Sequence, residues 1–215
     1  MSTLERIADS GLVPVVRIEH AEDAPALART LSQAGLPCIE ITFRSDAAAD
    51  AIRAIQAEVP EMLVGAGTVV SLAQLDAALA AGAMFVVSPG LQIEVVRACQ
   101  ANGTAVIPGV FTPTEVIGAM DLGLSLVKLF PASSAGGPAY LRALAGPFPA
   151  MRFVPTGGIE AADLEEYLKV PSVVAVGGSW MVQPALLAGR DWATVGRLAA
   201  EARAVVRAVR GSITR

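Results

Sequence analysis

A chain of 215 residues, 53% hydrophobic and 17% charged, suits one domain with a sizeable core. Its net charge of −4, without a basic run, argues against a nucleic-acid surface, and no apolar run reaches the roughly 18–20 residues of a membrane-spanning helix. The opening residues Met1 to Arg6 show no charged segment leading into an apolar stretch, so no secretory signal is read. Cys38 and Cys99, the only cysteines, suggest no disulfide framework, and a cytoplasmic protein with a small-molecule partner is expected.

In chain order, Ser2 and Glu5 have capping-box spacing for a short leading helix over about residues 1–10. Apolar, β-branched segments follow at Val13–Ile18, Cys38–Phe43, Met62–Ala66, Met84–Ser88, Thr104–Pro108, Leu126–Phe130, Arg152–Thr156 and Val173–Gly177. Near-continuous hydrophobic runs of this kind are parallel strands covered on both faces. Helical patterns lie between them: Ala24, Leu27, Ala28 and Leu31 share one face, as do Leu72, Leu75 and Leu79. A last helix repeats Val195, Leu198, Ala202, Val205 and Val209. Gly35, Gly82, Gly103 and Gly123 fit the left-handed position that closes a helix. Eight β-α units give an α/β protein, a (β/α)8 TIM barrel spanning 1–215 with a short N-terminal helix and a disordered tail at 211–215. In such a barrel the active site sits where strands end and loops lead into helices.

The chain carries fourteen arginines and two lysines. Lys169 ends a helix beside Pro171, a favourable place for a surface cation. Lys128 instead lies inside the sixth strand, within Leu126-Val127-Lys128-Leu129-Phe130. A structural ion pair inside the barrel would explain it. So would nucleophilic chemistry, because lysine, unlike arginine, can deprotonate and attack a carbonyl. An ordinary lysine, with a pKa of about 10.4, is neutral roughly once in 2,500 at pH 7, so a reactive one needs desolvation.

On the second strand, period-two alternation puts Glu40, Thr42 and Arg44 on one face and Ile39, Ile41 and Phe43 on the other. Glu40 is either paired with Arg17 or Lys128 for structure, or moves protons beside the lysine. Arg44, just past the strand end, could fork onto a substrate carboxylate or be solvated. Thr68, in Gly65-Ala66-Gly67-Thr68, is a ligand donor or an ordinary helix-start residue. Strand seven runs into Gly157-Gly158 and strand eight into Gly177-Gly178-Ser179. Glycine pairs at these adjacent turns let backbone N–H groups approach a phosphate, with the Ser179 hydroxyl as a further donor. His20 is the sole histidine, and no Cys/His/Asp/Glu cluster has metal-ligand spacing, so neither a metal nor another cofactor is expected.

The ordered blocks Glu40-Ile41-Thr42-Phe43-Arg44, Gly65-Ala66-Gly67-Thr68-Val69, Ser88-Pro89-Gly90, Ile107-Pro108-Gly109-Val110, Lys128-Leu129-Phe130-Pro131-Ala132, Pro155-Thr156-Gly157-Gly158-Ile159 and Gly177-Gly178-Ser179-Trp180 cover almost the whole chain. Together they resemble the bacterial 2-keto-3-deoxy-6-phosphogluconate (KDPG) and 4-hydroxy-2-oxoglutarate (KHG) aldolases. The resemblance implies a cofactor-free class I aldolase, commonly a homotrimer, that releases pyruvate from a phosphorylated keto-deoxy sugar acid. It implies that Lys128 forms the Schiff base and Glu40 is the general acid/base. It further implies that Arg44 and Thr68 contact the pyruvyl portion, and that Pro89 and Phe130 line the pocket. Gly157, Gly158, Gly178 and Ser179 would hold the phosphate. Arg17, present in some branches including the phosphogalactonate aldolases, is a further substrate-binding candidate and leaves the epimer open. Ser133 and Glu160 depart from the pattern, the latter placing an anion near the start of the helix after strand seven. Two rivals fit parts of the sequence: another phosphate-binding barrel, such as an isomerase or a thiamine-phosphate-type synthase, and a non-catalytic sugar-phosphate sensor.

Overall fold

A computed structural model describes residues 1–213, and its strands follow the apolar runs. They are β1 (Leu12–Val16), β2 (Cys38–Thr42), β3 (Leu63–Gly67), β4 (Phe85–Val87), β5 (Ala105–Ile107), β6 (Gly109–Val110), β7 (Leu126–Leu129), β8 (Arg152–Pro155) and β9 (Val176–Gly178). The helices are α1 (Thr3–Ser10), α2 (Ala24–Gln33), α3 (Ala48–Glu58), α4 (Leu72–Ala80), α5 (Ile93–Asn102), α6 (Pro113–Asp121), α7 (Gly137–Ala145), α8 (Leu164–Leu168), α9 (Pro184–Ala188) and α10 (Trp192–Ile213). The named pairings are all parallel. Gly35, Gly82, Gly103 and Gly123 all have positive φ, as helix-closing residues require. None of the described helices is long and apolar enough to cross a membrane.

Backbone pairing gives a six-stranded sheet, in the order β5-β4-β3-β2-β1-β9, and a three-stranded sheet, β6-β7-β8. The single closed eight-stranded ladder expected from the sequence is therefore not formed. One interruption is Pro108, which has no N–H to donate and divides the fifth expected strand into β5 and β6. The other lies between β8 and β9, where Phe153 and Val173, and Thr156 and Gly177, meet only in isolated bridges. The eighth strand begins later than its apolar run, at Val176 and not Val173. The expected tail also shifts: α10 carries its helical turns through Gly211 to Ile213, while Thr214 and Arg215 lie outside the described residues.

Two apolar clusters result. The larger packs helices against the outward strand faces, with Leu27, Leu31, Ile39, Ile41 and Phe153 all out of solvent. The smaller fills the space the strands enclose, joining Val13, Cys38, Leu63, Phe85, Val87 and Ile107 to Ile7 of α1. The capping box of Ser2 and Glu5 starts α1, and arginines from the far end of the chain secure its other end. Arg203 Nη1 donates to Ser10 O (2.8 Å), while Arg210 donates to Asp9 O (2.6 Å), Ala8 O and Val174 O. Helix-end carbonyls with no intrahelical partner are thereby satisfied by cations, a favourable match to the helix dipole. Arg210→Ala should therefore destabilise the fold by about 1–3 kcal/mol, measured as a lower urea midpoint at unchanged slope.

Candidate active site

Alternation within the strands sends every second side chain into the enclosed space, and these inward positions change character along their length. Near the strand starts they are hydrocarbon. Further along come Glu40 on β2 and Lys128 on β7, and beyond them hydroxyls, arginines and glycines around a cleft of about 580 Å³. The cleft opens at the carboxyl ends of the strands. It brings together Arg17, Glu40, Arg44, Thr68, Pro89, Lys128, Phe130, Gly157, Gly158, Gly178 and Ser179, every residue singled out from the sequence.

Lys128 and Glu40 come from opposite sides of the enclosure, and Lys128 Nζ stands 3.4 Å from Glu40 Oε1. Both are nearly out of water, at 6% and 3% exposure. Lys128 is fixed by its neighbours in register, Gly109 and Val154, and by its amide donating to Pro108 O at 2.9 Å. Glu40 lies between Val15 of β1 and Gly65 of β3. The Phe130 ring centre is 5.4 Å from the amine and forms one wall beside it. Lys169, by contrast, pairs with Glu165 at 2.6 Å on the surface, so Lys128 is the lysine of the cleft. Cys38 and Cys99 are buried, and burial pushes each thiol up to about 11, which leaves both poor nucleophiles.

Arg17 does not pair with Glu40. It reaches Glu19 at 2.8 Å, half exposed at the cleft margin. Arg44 is exposed on the continuation of the Glu40 face, and Thr42 between them donates its hydroxyl to Val16 O at 2.9 Å. Thr68 has a φ of 58°, an uncommon conformation for a residue with a side chain, held directly after the glycine on which Glu40 rests.

The two glycine turns face the cleft. Gly157 and Gly158 have φ of 99° and 71°, and a Cβ at Gly157 would come within 3.0 Å of the Phe130 ring. A Cβ at Gly178 would fall 2.0 Å from the Trp180 ring. No long helix starts at either turn. A 3-10 turn (Ala161–Asp163) leads into the five-residue α8, and Ser179 precedes another (Trp180–Val182). Anion recognition here would thus fall to loop N–H groups and the Ser179 hydroxyl. Glu160 is exposed, closes its own turn with Asp163 and does not line the cleft. Ser133 packs under Gly158 and donates its amide to Gly157 O at 3.0 Å.

Sequence reasoning gave no role to Thr156, which is buried among the cleft residues. Its period-two spacing from Val154 was the available signal. Gly67 was missed for a different reason. A Cβ there would sit 2.1 Å from Glu40 Oε1, so the carboxylate lies on bare backbone of β3, a contact that no sequence spacing announces.

The family model for KDPG and KHG aldolase matches residues 4–198. The chain belongs to this aldolase family. It is 47% identical over 203 residues to the 2-dehydro-3-deoxy-phosphogluconate aldolase of Treponema pallidum, covering 94% of this chain and 95% of that one. It is 43% identical over 202 residues to the KHG/KDPG aldolase of Escherichia coli K12, with the same coverage. Among solved structures, the KDPG aldolase of Legionella pneumophila, with pyruvate captured at low pH as a covalent carbinolamine intermediate, superposes with a TM-score of 0.89. That match has 37% identity and covers 93% of this chain and 97% of the other. For an aldolase of this family, the placement of Glu40 on Gly67 has a direct consequence. Gly67→Ala should keep the fold, seen by circular dichroism, yet lower kcat by about 100-fold, because displacing an aligned group by about 1 Å has that order of effect.

Proposed function

We propose that this chain is a class I aldolase that cleaves KDPG to pyruvate and glyceraldehyde 3-phosphate through a Schiff base on Lys128. The same chemistry applied to 4-hydroxy-2-oxoglutarate gives pyruvate and glyoxylate. The observation carrying this reading is the buried Lys128 amine 3.4 Å from the Glu40 carboxylate, at the base of a cleft whose rim holds two glycine turns. An isomerase or synthase barrel would use the glycine turns but has no need of that amine, and a sensor would need neither partner.

In this scheme the phosphate rests on the turns at Gly157, Gly158, Gly178 and Ser179, with Arg17 near the margin. Arg44 and Thr68 orient the carboxylate end, and Pro89 and Phe130 flank the carbon chain. The Lys128 amine, having passed a proton to Glu40, attacks the C2 ketone; Glu40 returns that proton to the carbinol hydroxyl, which leaves as water, giving a protonated imine and a free Glu40 carboxylate. That imine is an electron sink. Glu40 removes the C4 hydroxyl proton, directly or through a bridging water, and the C3–C4 bond breaks. Glyceraldehyde 3-phosphate departs, the enamine left on Lys128 is protonated at C3, and hydrolysis frees pyruvate. No metal or organic cofactor takes part. The 3.4 Å separation exceeds that of a tight ion pair, consistent with a resting arrangement that tightens on substrate.

We also propose one cytoplasmic domain whose two sheets act as a single barrel, and a homotrimeric assembly. Exposed apolar side chains support self-association: Val70, Leu72, Ile93, Phe111, Ile117 and Met120 stand 39–50% exposed on or just before α4, α5 and α6. Light scattering should give three times the 22.0 kDa chain mass, and Ile117→Glu should reduce it to one.

Borohydride added with pyruvate should fix a stable adduct on Lys128, located by peptide mass spectrometry; an unmodified Lys128 would remove the proposal. Glu40→Gln should still be trapped by pyruvate while losing about 10²–10⁴-fold in turnover, the usual worth of a positioned acid/base.

A further inference from the structure

The cleft is not the only space against the reactive pair. On the side towards the strand starts, Lys128 and Glu40 also bound a second, nearly filled space of about 10 Å³. Its other walls are Val13, Phe85, Val87, Ile107 and Val154, contributed by four different strands. All five side chains are hydrocarbon and at most 5% exposed. A single water needs roughly 10–15 Å³ and two to four polar partners. The space is at the lower limit of the first requirement, and its only polar side chains are Lys128 and Glu40, which already face each other at 3.4 Å.

The packing around this space is tight. Phe85 lies so close over Gly65 that a Cβ there would be 2.3 Å from its ring. Ile7 of α1 belongs to the same enclosed cluster with no exposure of its own, and Arg203 and Arg210 tie that helix to α10. Any water meeting the amine and carboxylate must therefore enter from the cleft, where the substrate sits.

We propose that Phe85 and Val87 form a dry floor beneath the Lys128–Glu40 pair, with Ile7 as its plug, and that they are positioning residues for the aldol chemistry although they do not reach the substrate. The inference rests on the Schiff-base reading of Lys128. Its physical basis is that a polar atom beneath the pair would offer both groups a competing partner and weaken their mutual interaction. A floor without such atoms leaves each group one direction in which to act, towards the cleft.

Substitutions at Val87 separate polarity from packing. Val87→Thr puts a hydroxyl in place of a methyl, whereas Val87→Ile adds only hydrocarbon to the nearly filled space and leaves water no room. The floor predicts a kcat at least tenfold lower in Val87→Thr with KM within twofold, and a kcat within threefold of wild type in Val87→Ile even where overpacking lowers its Tm. A role in packing alone predicts the reverse order, with activity following Tm. Either that reversed order or equal losses in the two variants overturns the floor. Should Val87→Thr not fold, Val154→Thr and Val154→Ile repeat the comparison from another wall. Pyruvate trapping with borohydride on the wild type keeps the two questions apart. An unlabelled Lys128 defeats the Schiff-base reading, whereas a labelled wild type with the reversed variant order defeats the floor alone.

Discussion

The amine of Lys128 and the carboxylate of Glu40, 3.4 Å apart and nearly sealed from water, set the terms for the rest of the molecule. Each is tolerable in that place only because of the other, since removing one partner leaves an unpaired buried charge, typically a loss of about 3–5 kcal/mol. They stand 88 residues apart in the chain, so the pair exists only when both sheets are in place. Folding and the assembly of the reactive centre are thus one event.

Much of the surrounding design makes room for that contact. Gly67 has no side chain because the Glu40 carboxylate occupies the place where one would be, and Gly65 yields in the same way to the Phe85 ring. Pro108 leaves a gap in the ladder between β5 and β6, yet its carbonyl accepts from the Lys128 amide and so fixes the strand that carries the amine. Small residues and an interruption, which weaken a sheet taken alone, here hold two charged groups at a chosen distance.

The same two-residue alternation makes both core and cleft. Inward positions begin as hydrocarbon at Val13, Leu63 and Phe85, become charged at Glu40 and Lys128, and end in hydroxyls and glycines at the rim. Lys128 and Glu40 therefore sit at a boundary, with a close-packed interior on one side and an open cleft on the other. Helix α1, fastened by arginines of α10, closes the end of the enclosure that the loops leave open.

Lys128 and Glu40 were legible in the sequence because a charge inside an apolar strand contradicts its surroundings, and the glycine pairs were legible because two tight turns in adjacent units are hard to attribute to chance. Thr156 was overlooked although its spacing pointed inward, while the Gly67 contact and the Arg17–Glu19 pairing left no mark in the order of residues. Local pattern also placed the eighth strand three residues early and ended α10 too soon, while the helix expected just after Glu160 opens instead with a 3-10 turn at Ala161–Asp163. Periodicity and residue type by themselves determined the α/β alternation, the parallel strands and which ionisable side chains stand inside them, because these depend on neighbours along the chain. Distances across the enclosure, the break in the strand ladder and the partner each charge accepts were decided only by the tertiary structure. Those quantities depend on strand register and on side-chain volumes that meet from opposite sides of the sheet.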